Sequence, residues 1–278
     1  MKKFTKVMLI IAGVLASVGV ICVVVAFGMG LTTNHFIKMI QDGRFSFDAG
    51  DFHISYDDNW KDDFEGETLG TENEGGESVD GEIKEVCANI DLEFGAGILE
   101  ISYADVDYIQ VKQTNVPELK VSVKNDTLVI RDETNIHVDI DGVEDRRLTI
   151  LIPREMEFED VELQIGASKA DISNICAKNF ELEVGAGQAS IADLKVEKLD
   201  VKAGVGQVNI ELNGVQSEYN YRVECGIGHV VVGNSSYSGL GSEDNVKFEG
   251  ATKEINVECG IGEVRIEFQD EAEMFEEI

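Results

Sequence analysis

LEVGAGQASI (Leu182–Ile191) is followed by VKAGVGQVNI (Val201–Ile210), and the two are one phrase written twice. It reads apolar-x-apolar-Gly-apolar-Gly/Ser-x-apolar-x-Ile/Val. Four further copies are LEFGAGILEI (Leu92–Ile101), LQIGASKADI (Leu163–Ile172), VECGIGHVVV (Val223–Val232) and VECGIGEVRI (Val257–Ile266). From Gly166 the first glycines follow at Gly185, Gly204, Gly226 and Gly260, intervals of 19, 19, 22 and 34 residues. A phrase repeated at a near-constant period marks a scaffold made by stacking one unit. Alternation on either side of the glycines is that of strands. Leu182, Val184, Ala189 and Ile191 face inward, and Glu183, Gln188 and Ser190 face outward. The expected fold is therefore all-β: a right-handed parallel β-solenoid-like stack. Leu182, Val201, Val223 and Val257 should share one internal column, and Ile191, Ile210, Val232 and Ile266 another.

The glycines have a mechanical reading. Each strand turns a corner within three residues, and every rung must turn at the same place. Positive φ or very close backbone approach then selects glycine. The corner positions are Gly95, Gly97, Gly166, Gly185, Gly187, Gly204, Gly206, Gly226, Gly228, Gly260 and Gly262. Ser168 replaces the second glycine in one copy, so that position should be the less strict. A phosphate cradle is excluded, because these glycines lead into strands and not into a helix N-terminus.

The stretch Tyr108–Pro153 has a different grain. ELKVSVKNDTLVIRDE reads as two strands around Lys124-Asn125-Asp126, a hairpin signal. IHVDIDGVEDRRLTILIP reads as another pair turning near Asp141-Gly142 and stopped by Pro153. An antiparallel block is expected near the start of the stack. Gly233–Asn245, between the last two copies, is polar and glycine-rich and reads as an inserted loop. It is a candidate binding loop carrying Ser236, Tyr237, Ser238 and Leu240, or simply a surface loop.

Ahead of the repeats, Val7–Leu31 is 25 residues without a charge. As a helix it is about 37 Å long, enough to cross a hydrocarbon core of about 30 Å. It is too long for the apolar region of a cleaved signal peptide. Lys2, Lys3 and Lys6 precede it, which places the N-terminus in the cytoplasm and the rest outside. The expected division is a cytoplasmic tail (1–6), a transmembrane helix (7–31) and a juxtamembrane segment with acidic linker (32–82). The β-solenoid domain (83–269) and an acidic C-terminal tail (270–278) follow. Membrane lipid is thus one expected partner, through residues 7–31. Within the linker, Asp57–Glu82 holds 11 acidic residues, one lysine and five glycines, too polar to offset the entropy of ordering.

The whole chain of 278 residues carries 23 basic and 54 acidic residues, a net charge of −31. Such a surface repels nucleic acid, anionic lipid heads and anionic wall polymers. It attracts divalent cations and basic partners, or simply keeps a β-stack soluble. The five cysteines, Cys22, Cys87, Cys176, Cys225 and Cys259, show no zinc spacing. Cys225 and Cys259 hold a position that is otherwise apolar, so both read as small inward hydrophobes. Adjacent rungs, about 4.8 Å apart, would also bring them within disulfide range. The four histidines, His35, His53, His137 and His229, are not spaced as metal ligands. No nucleophile, acid–base or zinc motif occurs, and no cofactor is expected.

The span from about Ile83 to Phe268 resembles a bacterial family known as "putative adhesin", a domain of unknown function built as a β-solenoid. The resemblance rests on DLEFGAGILEI, on KVSVKNDTLVIRDE followed by RRLTILIPREMEFEDVELQIGASKADI, and on VECGIGHVVV and VECGIGEVRI enclosing SSYSGLGSE. A leading transmembrane helix is similar to members from Gram-positive, clostridia-type bacteria. The resemblance implies a non-enzymatic extracellular domain with a cell-surface, wall or membrane-protein partner, and supplies no catalytic residues. The alternative is an envelope-stress sensor or regulatory accessory protein acting through a membrane partner.

Overall fold

The computed structural model describes residues 81–133 and 145–269, with the backbone of short strands at 46–49, 52–55, 67–68 and 79–80. The candidate helix 7–31, the tail 270–278 and the segment Thr134–Glu144, with the turn near Asp141-Gly142, lie outside the described residues. Among the described residues no helix is long and apolar enough to cross a membrane.

The fold is all-β. Strands β1 (Ser46–Ala49) and β2 (Phe52–Ser55) pair with each other. The other strands are β3 (Glu67–Thr68), β4 (Val79–Ile83), β5 (Asn89–Ala104), β6 (Ile109–Thr114), β7 (Leu119–Lys124), β8 (Thr127–Asp132) and β9 (Arg147–Pro153). They continue as β10 (Phe158–Ser173), β11 (Ala177–Leu194), β12 (Lys198–Asn213), β13 (Tyr219–Val232), β14 (Ser235–Val246) and β15 (Lys253–Gln269). Among the described residues, β3 to β15 form one sheet of 13 strands.

Six strands, each holding one copy of the phrase, are its spine. They lie parallel in the order β5-β10-β11-β12-β15-β13. Between β10 and β11, and between β11 and β12, three residues return the chain to the start of the next strand (174–176 and 195–197). That return is feasible only because each strand doubles back at its Gly-x-Gly corner into two arms. The apolar columns of the arms face each other, and their residues make the core. Leu92, Leu163, Leu182, Val201, Val257 and Val223 are in register and at most 1 % exposed.

The expected columns are present, but their order is not the sequence order. β15 sits between β12 and β13, so Val257 stands between Val201 and Val223. The connection from β12 to β13 has five residues, 214–218, including a 3-10 turn at Gln216–Glu218. That is two more than between the preceding rungs, enough to step over one strand. The chain then turns back as β14, antiparallel to β13, and enters the gap as β15. Gly233–Asn245 is therefore no loop: nearly all of it is the last strand of the sheet.

At the other end the copy at Gly95 is not separated from the stack. β5 pairs directly with β10, Leu92 opposite Leu163. The antiparallel block lies beyond β5, where the two arms part company. β8 continues the first arm and pairs with β7, and β7 with β3. β9 continues the second arm and pairs with β6, and β6 with β4. The β7–β8 turn is the expected one, with Asn125 at φ 49° and Asp126 at φ 62°. Part of the supposed solvated linker is thus sheet edge, because β3 and β4 join by backbone hydrogen bonds, which composition does not reveal.

Candidate interaction surface

The corner decides what the surface looks like. At the second glycine of the phrase, a Cβ built on Gly206 or Gly262 would overlap the carbonyl oxygen of the neighbouring rung, Gly187 or Gly206 respectively. These glycines also have φ of +151° and +150°. The second glycine is tight in every copy that has it, so it is not the less strict position that Ser168 suggests; the first glycine varies, and a Cβ on Gly166 would likewise overlap the Gly95 carbonyl oxygen. Ser168 holds this position with an ordinary φ, between Gly97 and Gly187 in the column. At Gly185, a first glycine, a Cβ would come no closer than 3.3 Å to Gly166 O.

Where the stack of corners ends, at β5, a buried ion pair takes the place of the next corner. Arg146 donates to both Asp132 carboxylate oxygens at 2.7 and 2.8 Å and to Ala96 O at 2.8 Å. Asp132 in turn accepts from the Gly95 N–H at 3.2 Å. The side chains are 6 % and 0 % exposed. The pair satisfies corner backbone groups that would otherwise meet a rung. Sequence reading missed it: Arg146 and Asp132 belong to no repeat and lie on either side of the segment Thr134–Glu144.

From β10 onward the residue between the two corner positions points out of the corner. Along the stack this column reads Ala96, Ala167, Ala186, Val205, Ile261, Ile227. Val205, Ile261 and Ile227 are 52 %, 40 % and 54 % exposed. An apolar ridge thus grows toward the β13 end.

The outer face of the first arm is polar and laddered. One column is Asp91, Glu162, Glu181, Asp200, Asn256, Arg222, and the next is Glu93, Gln164, Glu183, Lys202, Glu258, Glu224. Neighbouring rungs are tied by Asn179 to Asp160 at 2.7 Å, Lys202 to Glu181 at 2.9 Å and Asn256 to Asp200 at 2.6 Å. A groove there is lined by Asp160, Glu162, Asn179, Glu181, Lys198 and Asp200. Burial raises the Glu183 carboxyl above its ordinary range. Lys202 opposes that rise, and Glu181, Glu162 and Glu258 reinforce it. Among the described residues no group of three or more His, Cys, Asp or Glu is placed to hold a metal ion.

Of the residues proposed for a binding loop, all four lie in β14. Ser236 and Ser238 are exposed, and Ser236 Oγ is 2.8 Å from His229 Nε2. Tyr237 is half-buried and stacks edge-on against Tyr221, whose hydroxyl it meets at 3.4 Å. Burial, and next its hydrogen bond to Tyr221, push the Tyr237 hydroxyl up to about 12. With Gln216, Tyr221 and Ser235 it closes the open end of the core by polar contacts. Cys225 and Cys259 are buried, in register across β13 and β15, and free. Burial, and then the neighbouring Cys225, push the Cys259 thiol up to about 12.

No curated protein matches the sequence. A "putative cell adhesion protein" from Clostridium sporogenes is 19 % identical, with a TM-score of 0.48 over 70 % of this chain and 100 % of that one. A "putative adhesin" from Bacteroides fragilis is 12 % identical, with a TM-score of 0.29 over 70 % and 98 %. Another "putative adhesin", from Parabacteroides distasonis, is 12 % identical, with a TM-score of 0.24 over 70 % and 98 %. A family model, Toast_rack_N, the N-terminal domain of toast_rack (DUF2154), matches residues 68–233. Its start coincides with β3, and the match covers more than half of the 278 residues. The chain belongs to the Toast_rack_N family.

Proposed function

We propose that this chain is a membrane-anchored, non-enzymatic display scaffold, with its rack outside the cell offering an adhesion surface to a cell-surface, wall or membrane-protein partner. The laddered outer face of the first arm carries the reading. Its side chains are held by hydrogen bonds to the next rung, as in Lys178–Glu159 at 2.6 Å and Asn179–Asp160 at 2.7 Å. A face held this way repeats its polar groups at the rung spacing of about 4.8 Å. It suits an extended partner engaged at many points. The carboxylate columns favour a basic protein segment or a neutral glycan over an anionic polymer. Anchoring rests on the uncharged run Val7–Leu31 with Lys2, Lys3 and Lys6 ahead of it.

Two measurements test this. External protease, applied to cells freed of their wall, should remove the rack; a fully protected domain would overturn the outside placement. The full chain in detergent should bind basic proteins on an array, more weakly as salt rises, or neutral glycans, with little dependence on salt. No binding, together with altered induction of envelope-stress genes on deletion, would favour the sensor reading instead.

A further inference from the structure

The two ends of the stack are finished differently. At one end the outermost strands are β3 and β4, of two and five residues, short edges of the kind that blunt strand addition. At the other end the outermost strand is β14, twelve residues long and without a lysine. Among the described residues no strand pairs with its outer edge, on either side of the corner.

We propose that a second copy of this chain pairs with that edge, β14 against β14, antiparallel about a two-fold axis. The corner fixes the register. β14 bends with β13, Leu240 opposite Ile227 and Gly239 opposite Gly228, so an added strand must bend there too. A two-fold axis along the bisector of the bend exchanges the arms. It lays Ser242, which faces Cys225 before the corner, against Tyr237 of the other copy, which faces Val230 after it. From that match the other pairs follow. Glu243 meets the other copy's Ser236, and Asp244 meets its Ser235.

Three observations support the match. Each carboxylate of β14 meets a hydroxyl, and no two carboxylates stand opposite each other, an arrangement that would be unfavourable. Ser242 Oγ is buried without a hydrogen-bond partner, and the pairing brings Tyr237 of the other copy to its side. The exposed ridge of Val205, Ile261 and Ile227 has its largest members toward this edge, with alanines at the far end. In the pair the two ridges run into one line across the junction. The association joins like surfaces, as closed two-fold dimers do, and uses the backbone mode of strand addition.

The test is sedimentation of the full chain in detergent. The expected result is a concentration-dependent dimer that tightens as salt screens the net charge of −31. Ser236→Glu places a carboxylate opposite Glu243 at two symmetry-related sites and should raise the dissociation constant about fivefold. Ser236→Lys should lower it by a similar factor. Circular dichroism should be unchanged in both, since Ser236 is exposed. On mild oxidation, Ser236→Cys with Glu243→Cys should give a covalent dimer above the wild-type background, and Ser236→Cys alone should not. A monomer at every concentration, or equal dissociation constants for the two charge variants, would overturn the proposal. So would a cross-link from Ser236→Cys alone, which requires a different pairing of the two strands.

Discussion

Replacing Gly206 by alanine tests the corner at its tightest point. The new Cβ would overlap the Gly187 carbonyl oxygen, and the Gly187 carbonyl carbon and amide nitrogen would lie 3.0 Å away. None of these atoms is the end of a flexible side chain, so a rung or the corner itself must shift. Holding a non-glycine residue at φ +151° adds about 1–3 kcal/mol. Overpacking against a fixed neighbour adds about 1–3 kcal/mol more. Together these cost about 2–6 kcal/mol, a large share of the stability of an ordinary domain. Two companion substitutions separate the causes. Gly241, at φ +68°, has nothing within 4 Å, so Gly241→Ala carries the backbone cost alone, about 1–2 kcal/mol. Gly185→Ala meets its nearest neighbour at 3.3 Å and should cost less than about 1 kcal/mol. Urea unfolding followed by far-ultraviolet circular dichroism gives all three. If Gly206→Ala were no more damaging than Gly241→Ala, close stacking of the corners would be refuted.

Other outcomes follow from the same contacts. Arg146→Met takes the guanidinium away from the buried Asp132 carboxylate and should cost about 3–5 kcal/mol. Adding Asp132→Leu should recover only part of that, because the Gly95 N–H and Ala96 carbonyl lose their partners; urea midpoints of both variants check this. The raised Glu183 carboxyl means that stability is lost as pH climbs from the unfolded carboxylate value through the folded one. Glu183→Gln should therefore stabilise the protein at neutral pH, and the gain should disappear below the unfolded value in melts taken across that window. Burial raises both the Cys225 and Cys259 thiols. Iodoacetamide at pH 8 should thus leave them unmodified in the folded protein and alkylate both in urea, as read by peptide mass.

How far the sequence reveals this molecule depends on which interactions are local. Inward and outward positions, as in Leu182-Glu183-Val184, follow from side-chain alternation within one strand. The Asn125-Asp126 turn follows from residues that tolerate positive φ. Strand order is another matter. Val223 and Val257 present nearly the same phrase to Val201, so apolar complementarity does not choose between them. The one trace of the skipped rung is the interval of 22 residues before Gly226 where 19 is the norm. β14 escapes notice because it closes the core with Ser235, Tyr237 and Ser242, and so lacks an apolar alternation. β3 and β4 join through the backbone, and the Arg146–Asp132 cap brings together two residues with no shared motif. For the surface, the acidic outer columns are legible from the repeats. The exposure of Val205, Ile227 and Ile261 is not, since an apolar residue between corner glycines reads equally well as core.

The order of the rungs is the point on which the rest depends: the β14 edge and the order of residues along the ridge both require β15 between β12 and β13. Methyl nuclear Overhauser effects on selectively labelled isoleucine and valine test it directly. Ile266 should show cross-peaks to both Ile210 and Val232, its partners in register. Ile210 and Val232, two rungs or about 9.6 Å apart, should show none. A direct Ile210–Val232 cross-peak, with none from Ile266 to Ile210, would contradict the account.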